Sequence, residues 1–137
     1  MPIEPTPIAG DANVTLRLKE VSAVKNPEKV GKGEWTFAVT VNGLERWRSE
    51  SPVGVGAGET VAVAGAIPIE VDAATVVLEV DVTATEHDAL GVHQEAAGKE
   101  MLHRVAAFER DRGFTVELRG KDAQLALRFT VEVTGKA

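Results

Sequence analysis

The side chains best suited to chemistry in this chain gather between Thr85 and His103. The stretch TEHDALG, Thr85 to Gly91, follows a run of valines and sets two carboxylates, Glu86 and Asp88, around His87. Carboxylates at the end of an apolar strand are the raw material of a calcium loop, because Ca²⁺ takes about six to eight oxygens, mostly from carboxylates. Two carboxylates plus backbone carbonyls fall short of a tight site. Glu86 and Asp88 are therefore weak calcium candidates at most. The simpler expectation is a solvated connecting turn in which Asp88 bonds its own backbone.

The other chemical motifs are poorer still. His87, His93 and His103, with Glu86, Asp88 and Glu95, have the side chains of a transition-metal cluster, but their spacings match no metal-site signature and H-E-x-x-H is absent. The glycines of GVGAG, Gly54 to Gly58, lack the following Lys-Ser/Thr and helix start of a phosphate loop. Ser22, Ser49 and Ser51 are the chain's serines, and none sits in a G-x-S-x-G setting or beside an evident base. ERWRS places Arg46 and Arg48 around Trp47, which reads as an outward arginine pair about a core tryptophan, with an anionic head group as the functional alternative. FERDRG reads as a mixed-charge solvated helix end. No nucleophile, acid–base pair or ligand set identifies an enzyme.

Composition narrows the classes further. A chain of 137 residues suits one domain with one core. The net charge of −6 argues against nucleic-acid binding, which needs clustered Lys and Arg to neutralise phosphates. There are no cysteines, so disulfides and thiolate metal sites are excluded. The start, MPIEPTPIAG, has neither a basic n-region nor an apolar h-region, so it does not read as a signal peptide. No apolar run approaches the roughly 20 residues that cross a bilayer. The expected compartment is the cytoplasm. Richness in Val, Ala, Gly and Arg points to a GC-rich bacterial genome.

The elements that would position these residues are mostly strands. Pro2, Pro5 and Pro7 make residues 1–11 an extended, flexible arm. VTLRLKEV alternates Val14, Leu16 and Leu18 with polar residues, the period of a half-buried strand. A polar loop, Lys25 to Glu34, leads to WTFAVTV, with Trp35, Phe37, Val39 and Val41 on one face. Asn42-Gly43 then signals a hairpin. A two-residue loop would pair Val39 with Arg46. A three-residue loop, Asn42 to Leu44, pairs Val39 with Trp47 and puts both tryptophans on the core face, which favours the longer, bulged turn. SPVGVGAGE reads as a loop, and TVAVAG and AIPIEV as two short strands, the second at an edge because Pro68 cannot donate a ladder hydrogen bond. ATVVLEVDVTA turns Val76, Leu78, Val80 and Val82 inward. FTVELRG and AQLALRFTVEV close the chain through GKDA, with Leu125, Leu127, Phe129, Val131 and Val133 sharing a face. One segment breaks the pattern. Across Ala97 to Gly113, Met101, Val105 and Phe108 fall at helical spacing with Leu102 and Ala106 beside them, which predicts a short helix near residues 99–111 stopped at Gly113. About eight short strands with turn signals between them predict an all-β, antiparallel β-sandwich.

VTLRLKEVSAVKN followed by GEWTFAVTVNG, and further on TVVLEVDVTATEHDALG, resemble a C2 domain. The resemblance covers roughly residues 12–92 and is most specific at the apolar strand ending in DALG. It implies an eight-stranded sandwich whose loops at one end bind calcium and phospholipid. In calcium-binding members the strand before this element ends in a D-x-D pair, and the facing loop adds a carboxylate. Here the matching strand end offers Val82, Thr83 and Ala84, Asp81 is one position out of phase and faces the outer side of the sheet, and the facing loop has only Asn26 and Glu28. The resemblance thus implies degenerate calcium loops.

These readings combine into one expectation: a single C2-like β-sandwich over 12–137, non-enzymatic, without a cofactor beyond weak calcium, and binding a protein partner rather than nucleic acid. The alternative is a peripheral membrane lipid binder with weak or lost calcium dependence. A third class, a metal-assisted hydrolase near His87 and His93, lacks any recognisable ligand triad.

Overall fold

The computed structural model describes residues 12–25, 33–71, 77–87, 93–103, 112–121 and 123–136. Every regular element among them is a strand: β1 (Ala12–Lys25), β2 (Gly33–Val41), β3 (Leu44–Arg48), β4 (Val53–Val55), β5 (Thr60–Val71), β6 (Val77–His87), β7 (His93–His103), β8 (Arg112–Gly120) and β9 (Gln124–Lys136). The ladder order is β3-β2-β6-β7-β8-β9-β1-β5, with β4 also paired to β2 and every strand pair antiparallel. The path folds into two leaves, β3/β4-β2-β6-β7 and β8-β9-β1-β5. They join through a ladder of only two pairs, Ala96↔Gly120 and Ala97↔Arg119, so the molecule is close to a barrel.

Alternation places the core between the leaves. Trp35, Phe37, Val39 and Val41 from β2, Leu78, Val80, Val82 and Ala84 from β6, and Leu125, Leu127, Phe129 and Val131 from β9 are all buried. Phe114 stacks on Phe129 with ring centroids 5.0 Å apart. β1 contributes Val14, Leu16 and Leu18, then Val21 and Ala23, so the inward positions change from even to odd numbers. The register of β1 shifts against both β5 and β9 between Leu18 and Glu20, which kinks the strand and keeps both halves facing the core.

Several expectations need correcting. Ala97–His103 belongs to β7 rather than to a helix, and Gly113 pairs with Thr130 inside β8 rather than capping anything. Met101, the first residue of the expected helical stripe, is 46% exposed while its neighbour Leu102 is buried. An unbroken β6–β7 ladder from Val77↔His103 to His87↔His93 overrides the helix propensity of the segment. Val105 and Phe108 lie outside the described residues, as do residues 1–11, Asn26, Glu28, Val76 and Asp88. TVAVAG and AIPIEV form one strand, β5, and the glycine-rich loop before it contains β4, so nine strands stand where about eight were expected. TEHDALG is not a turn throughout: Thr85, Glu86 and His87 continue β6.

The hairpin reaches the expected pairing by a different route. Val39 faces Trp47, but Val41 pairs with Leu44, so the turn is the two-residue Asn42-Gly43. Both turn residues have positive φ, 50° and 82°, the geometry Asn-Gly favours. The extra residue enters as a bulge between the Val39 and Thr40 pairings, where β3 passes through Arg46. Asn42 also ties the hairpin to β6, accepting from the Glu79 amide at 2.7 Å through Oδ1.

Candidate functional site

The two sides of the sandwich are finished differently, and the difference marks the candidate site. At the β7–β8 seam the leaves touch backbone to backbone. A Cβ added to Gly98 would overlap the carbonyl oxygen of Glu117, and one added to Gly120 would overlap that of Glu95. Glycine alone permits this approach. At the opposite side β3 and β4 end one leaf, β5 ends the other, and no ladder joins them among the described residues.

The partly covered apolar side chains concentrate at that open seam. Trp47, Val53, Val61 and Val63 pack against the core without being buried, with Phe114 the comparable residue elsewhere. The Trp47 ring lies over Gly65, whose Cβ position falls 3.0 Å from Cζ2. A cavity of about 460 Å³ opens here between Trp47, Val53 and Ser49 on one leaf and Val63, Gly65 and Ala66 on the other. A second, of about 360 Å³, lies on the far side of β5 against Arg17 and Lys19.

The two edge strands differ in protection. β3 is five residues long, bulged, and carries Glu45, Arg46 and Arg48, with Arg48 Nη2 donating to Glu45 Oε1 at 2.6 Å. Short length, charge and bulges are the usual means of keeping an edge from pairing with other chains. β5 runs for 12 residues with no charge from Thr60 to Ile69. Pro68 interrupts its far half, which agrees with the edge position expected for that proline, and a register shift lies between Gly65 and Ala62. The near half, TVAVAGA, presents Ala62, Ala64 and Ala66 to solvent.

The other candidate residues are dispersed or occupied. Glu86 is 2% exposed and points into the sandwich from β6, directly opposite Trp35 on β2. Trp35 Nε1 is buried with no hydrogen-bond partner among the described residues. Asp81 lies out of phase with the buried Val80 and Val82, on the outer side as expected. Ser49 Oγ accepts from the Phe37 amide at 2.8 Å, and Ser22 Oγ lies 2.8 Å from Thr60 Oγ1, so both hydroxyls serve the sheet. His87 is exposed, with Nε2 2.7 Å from Thr36 Oγ1. Arg46 borders a cavity of about 570 Å³ with Thr15, Pro68 and Glu70. Among the described residues, no three His, Cys, Asp or Glu side chains converge as a metal site. None of the described residues forms a helix that could cross a membrane.

The open seam is the feature that local sequence reading misses. Its signal is the uncharged run Thr60–Ile69, which Gly65 makes look like two short strands.

Solved structures similar to this one include several C2 domains. A C2 domain of a plant extended synaptotagmin 1 matches 93% of this chain over 98% of its own length, at TM-score 0.56 and 8% identity. A C2 domain protein from Ramazzottius varieornatus matches 91% of this chain over 90% of its own length, at TM-score 0.56 and 12% identity. Human GIVD cytosolic phospholipase A2 matches 92% of this chain over 18% of its own length, at TM-score 0.56 and 9% identity. No family model and no curated protein sequence matches the chain. The fold is C2-like.

Proposed function

We propose that this C2-like domain is a non-enzymatic module of the cytoplasm that binds an extended segment of another protein along the free edge of β5. The observation that carries the reading is the coincidence of an uncharged edge strand with the half-covered side chains Trp47, Val53, Val61 and Val63 at the same seam. An added strand takes main-chain hydrogen bonds from the edge and sends alternate side chains into flanking pockets. Here the inward side chains would complete the cover over Trp47 and Val63, and the outward ones would lie beside Ala62, Ala64 and Ala66. The engaged hydroxyls of Ser22 and Ser49 support a binding role rather than a nucleophilic one.

The test is selection of short peptides from a displayed library, followed by amide chemical-shift mapping on the full chain. Shifts at Thr60–Ala66 and at the Trp47 indole are expected. Failure to select any peptide, or shifts confined to other strands, would reject the reading.

A second reading, binding of membrane phospholipid with weak or lost calcium dependence, draws on the C2-like fold and on Val24, which is 63% exposed near the end of β1 where the 26–32 connection begins. The burial of Glu86 supports weak calcium binding at most, since a ligand must reach the ion with its oxygens. Sedimentation with anionic phospholipid vesicles, lost on Val24→Asp, would put this reading first.

A further inference from the structure

We infer that the segment taken up by the free edge of β5 carries a large aromatic residue opposite Gly65, with an acidic residue on either side of it. The inference rests on the strand-addition reading above and names the chemistry of its partner. Strand geometry divides the task between two faces. Directly opposed residues share a face and hold their Cβ positions about 4.5–5.5 Å apart. The chain neighbours of the residue opposite Gly65 therefore point to the other face.

The inner face asks for a large apolar side chain. Val61, Val63 and Gly65 are half-buried and Ile67 is buried, while Ala62, Ala64 and Ala66 between them are exposed. Gly65 has no side chain of its own, and the Trp47 ring lies over it. The cavity of about 460 Å³ beside that ring is bounded by Trp47, Val53, Val63 and Gly65, and residues 48–51 complete its lining with polar groups. Ligand pockets span roughly 300–1,000 Å³, so one aromatic side chain fits. Entering from an added strand, it would meet the Trp47 ring, and aromatic pairs prefer offset or edge-on contact. The next inward residues of the segment would face Val63 and Ile67 and are accordingly apolar.

The outer face asks for negative charge. The groove of about 360 Å³ there runs between Ala64 and Ala66 and the cations Arg17 and Lys19 of β1. Alanine side chains are too short to cover those cations, so a carboxylate on the added strand can reach across β5 to them. The charges on this part of β1 are not all matched. Arg17 Nε donates to Glu132 Oε2 at 2.8 Å, and Arg128 Nη1 lies 3.6 Å from Glu20 Oε1. Lys19 is exposed and makes no ion pair among the described residues, which leaves one unmatched positive charge beside the edge.

The experiment titrates a capped peptide, Ser-Thr-Val-Asp-Phe-Asp-Val-Thr-Ser, into the full chain by calorimetry, with amide shifts recording where it binds. Saturable binding with shifts at Thr60–Ala66 is expected. Replacing the peptide's Phe by Ala should weaken binding by about 10-fold, the upper range for an aromatic pair. Replacing both Asp by Lys should weaken it by about 3-fold, the scale of an exposed ion pair, and added salt should shrink that difference. Lys19→Glu should reverse the preference between the Asp and Lys peptides. Gly65→Ala crowds the position the aromatic ring takes, so it should weaken the Phe peptide and leave the Ala peptide unchanged. Binding at Thr60–Ala66 with no preference for Phe over Ala, or a charge preference that survives Lys19→Glu, would overturn the inference and leave strand addition standing. Failure of the peptide to bind would also overturn the inference, and selection from the displayed library then decides the strand-addition reading separately. Thermal melts of both variants separate lost binding from lost folding.

Discussion

The β7–β8 seam and the β3–β5 seam solve the same problem in opposite ways. Each is a place where one leaf of the sandwich must meet the other. At β7–β8 the chain uses Gly98 and Gly120 to bring carbonyls against Cα atoms, and two ladder pairs close the sheet. At β3–β5 it uses the Trp47 side chain, which lies over Gly65 without a ladder. Backbone contact seals a seam because it satisfies polar groups and leaves no volume to fill. Side-chain contact leaves β5 without a ladder on that side among the described residues, and an edge strand without a ladder is a template for another strand. The closed seam holds the leaves together, and the open one is the edge proposed for recognition.

The largest expected effect separates the two tryptophans. Trp35 is fully buried beside Phe37, and Trp35→Ala should cost about 3–5 kcal/mol in urea unfolding. Trp47 covers the open seam only in part, and Trp47→Ala should cost about 1–1.5 kcal/mol, roughly half of what full burial of a large side chain contributes. Equal losses would mean that both seams are sealed alike.

The glycines come next. Gly120→Ala must displace backbone and should lose about 3 kcal/mol, the upper end for overpacking. Gly65→Ala meets only the edge of the Trp47 ring, which can move, and should lose about 1 kcal/mol or less. A mild Gly120→Ala would show that the β7–β8 leaves can slide apart.

Ala64→Lys adds a charge to the exposed edge and should change stability by no more than about 0.5 kcal/mol. It should nonetheless abolish peptide binding, because charged edges resist strand addition. The smallest effect is expected from calcium. A thermal melt with chelator and one with added Ca²⁺ should coincide. A tight site occupied at about 100 times its dissociation constant would stabilise the fold by about 2.7 kcal/mol and be plain in the melt.

Much of this architecture is legible in the sequence because period two survives in single strands. Trp35 to Val41, Leu78 to Val82 and Leu125 to Val131 can be assigned to the core from alternation alone. The Val39–Trp47 pairing follows from putting both tryptophans inward, although the bulge near Arg46, not a longer turn, delivers it. The helix expected over Ala97–Gly113 does not form at Ala97–His103, because the good helix formers in Lys99–Leu102 pair with β6, a partner that local propensity does not include. The strand β5 reads as two because Gly65 looks like a break when the ring that packs on it is unknown. Cross-strand relations such as His87–His93 are set by register, which local spacing cannot give, so residues that form no motif along the sequence become neighbours across the sheet.

Amide hydrogen exchange, resolved by residue, tests the contrast between the seams most directly. In the free chain, amides across the Ala96–Gly120 contact should exchange slowly, while those on the outer edge of Thr60–Ala66 exchange fast. On addition of a selected peptide, protection should rise in Thr60–Ala66 and hardly elsewhere. Slow exchange along the outer edge of β5 in the free chain, or peptide-induced protection confined to other strands, would contradict the assignment of the open seam as the binding edge.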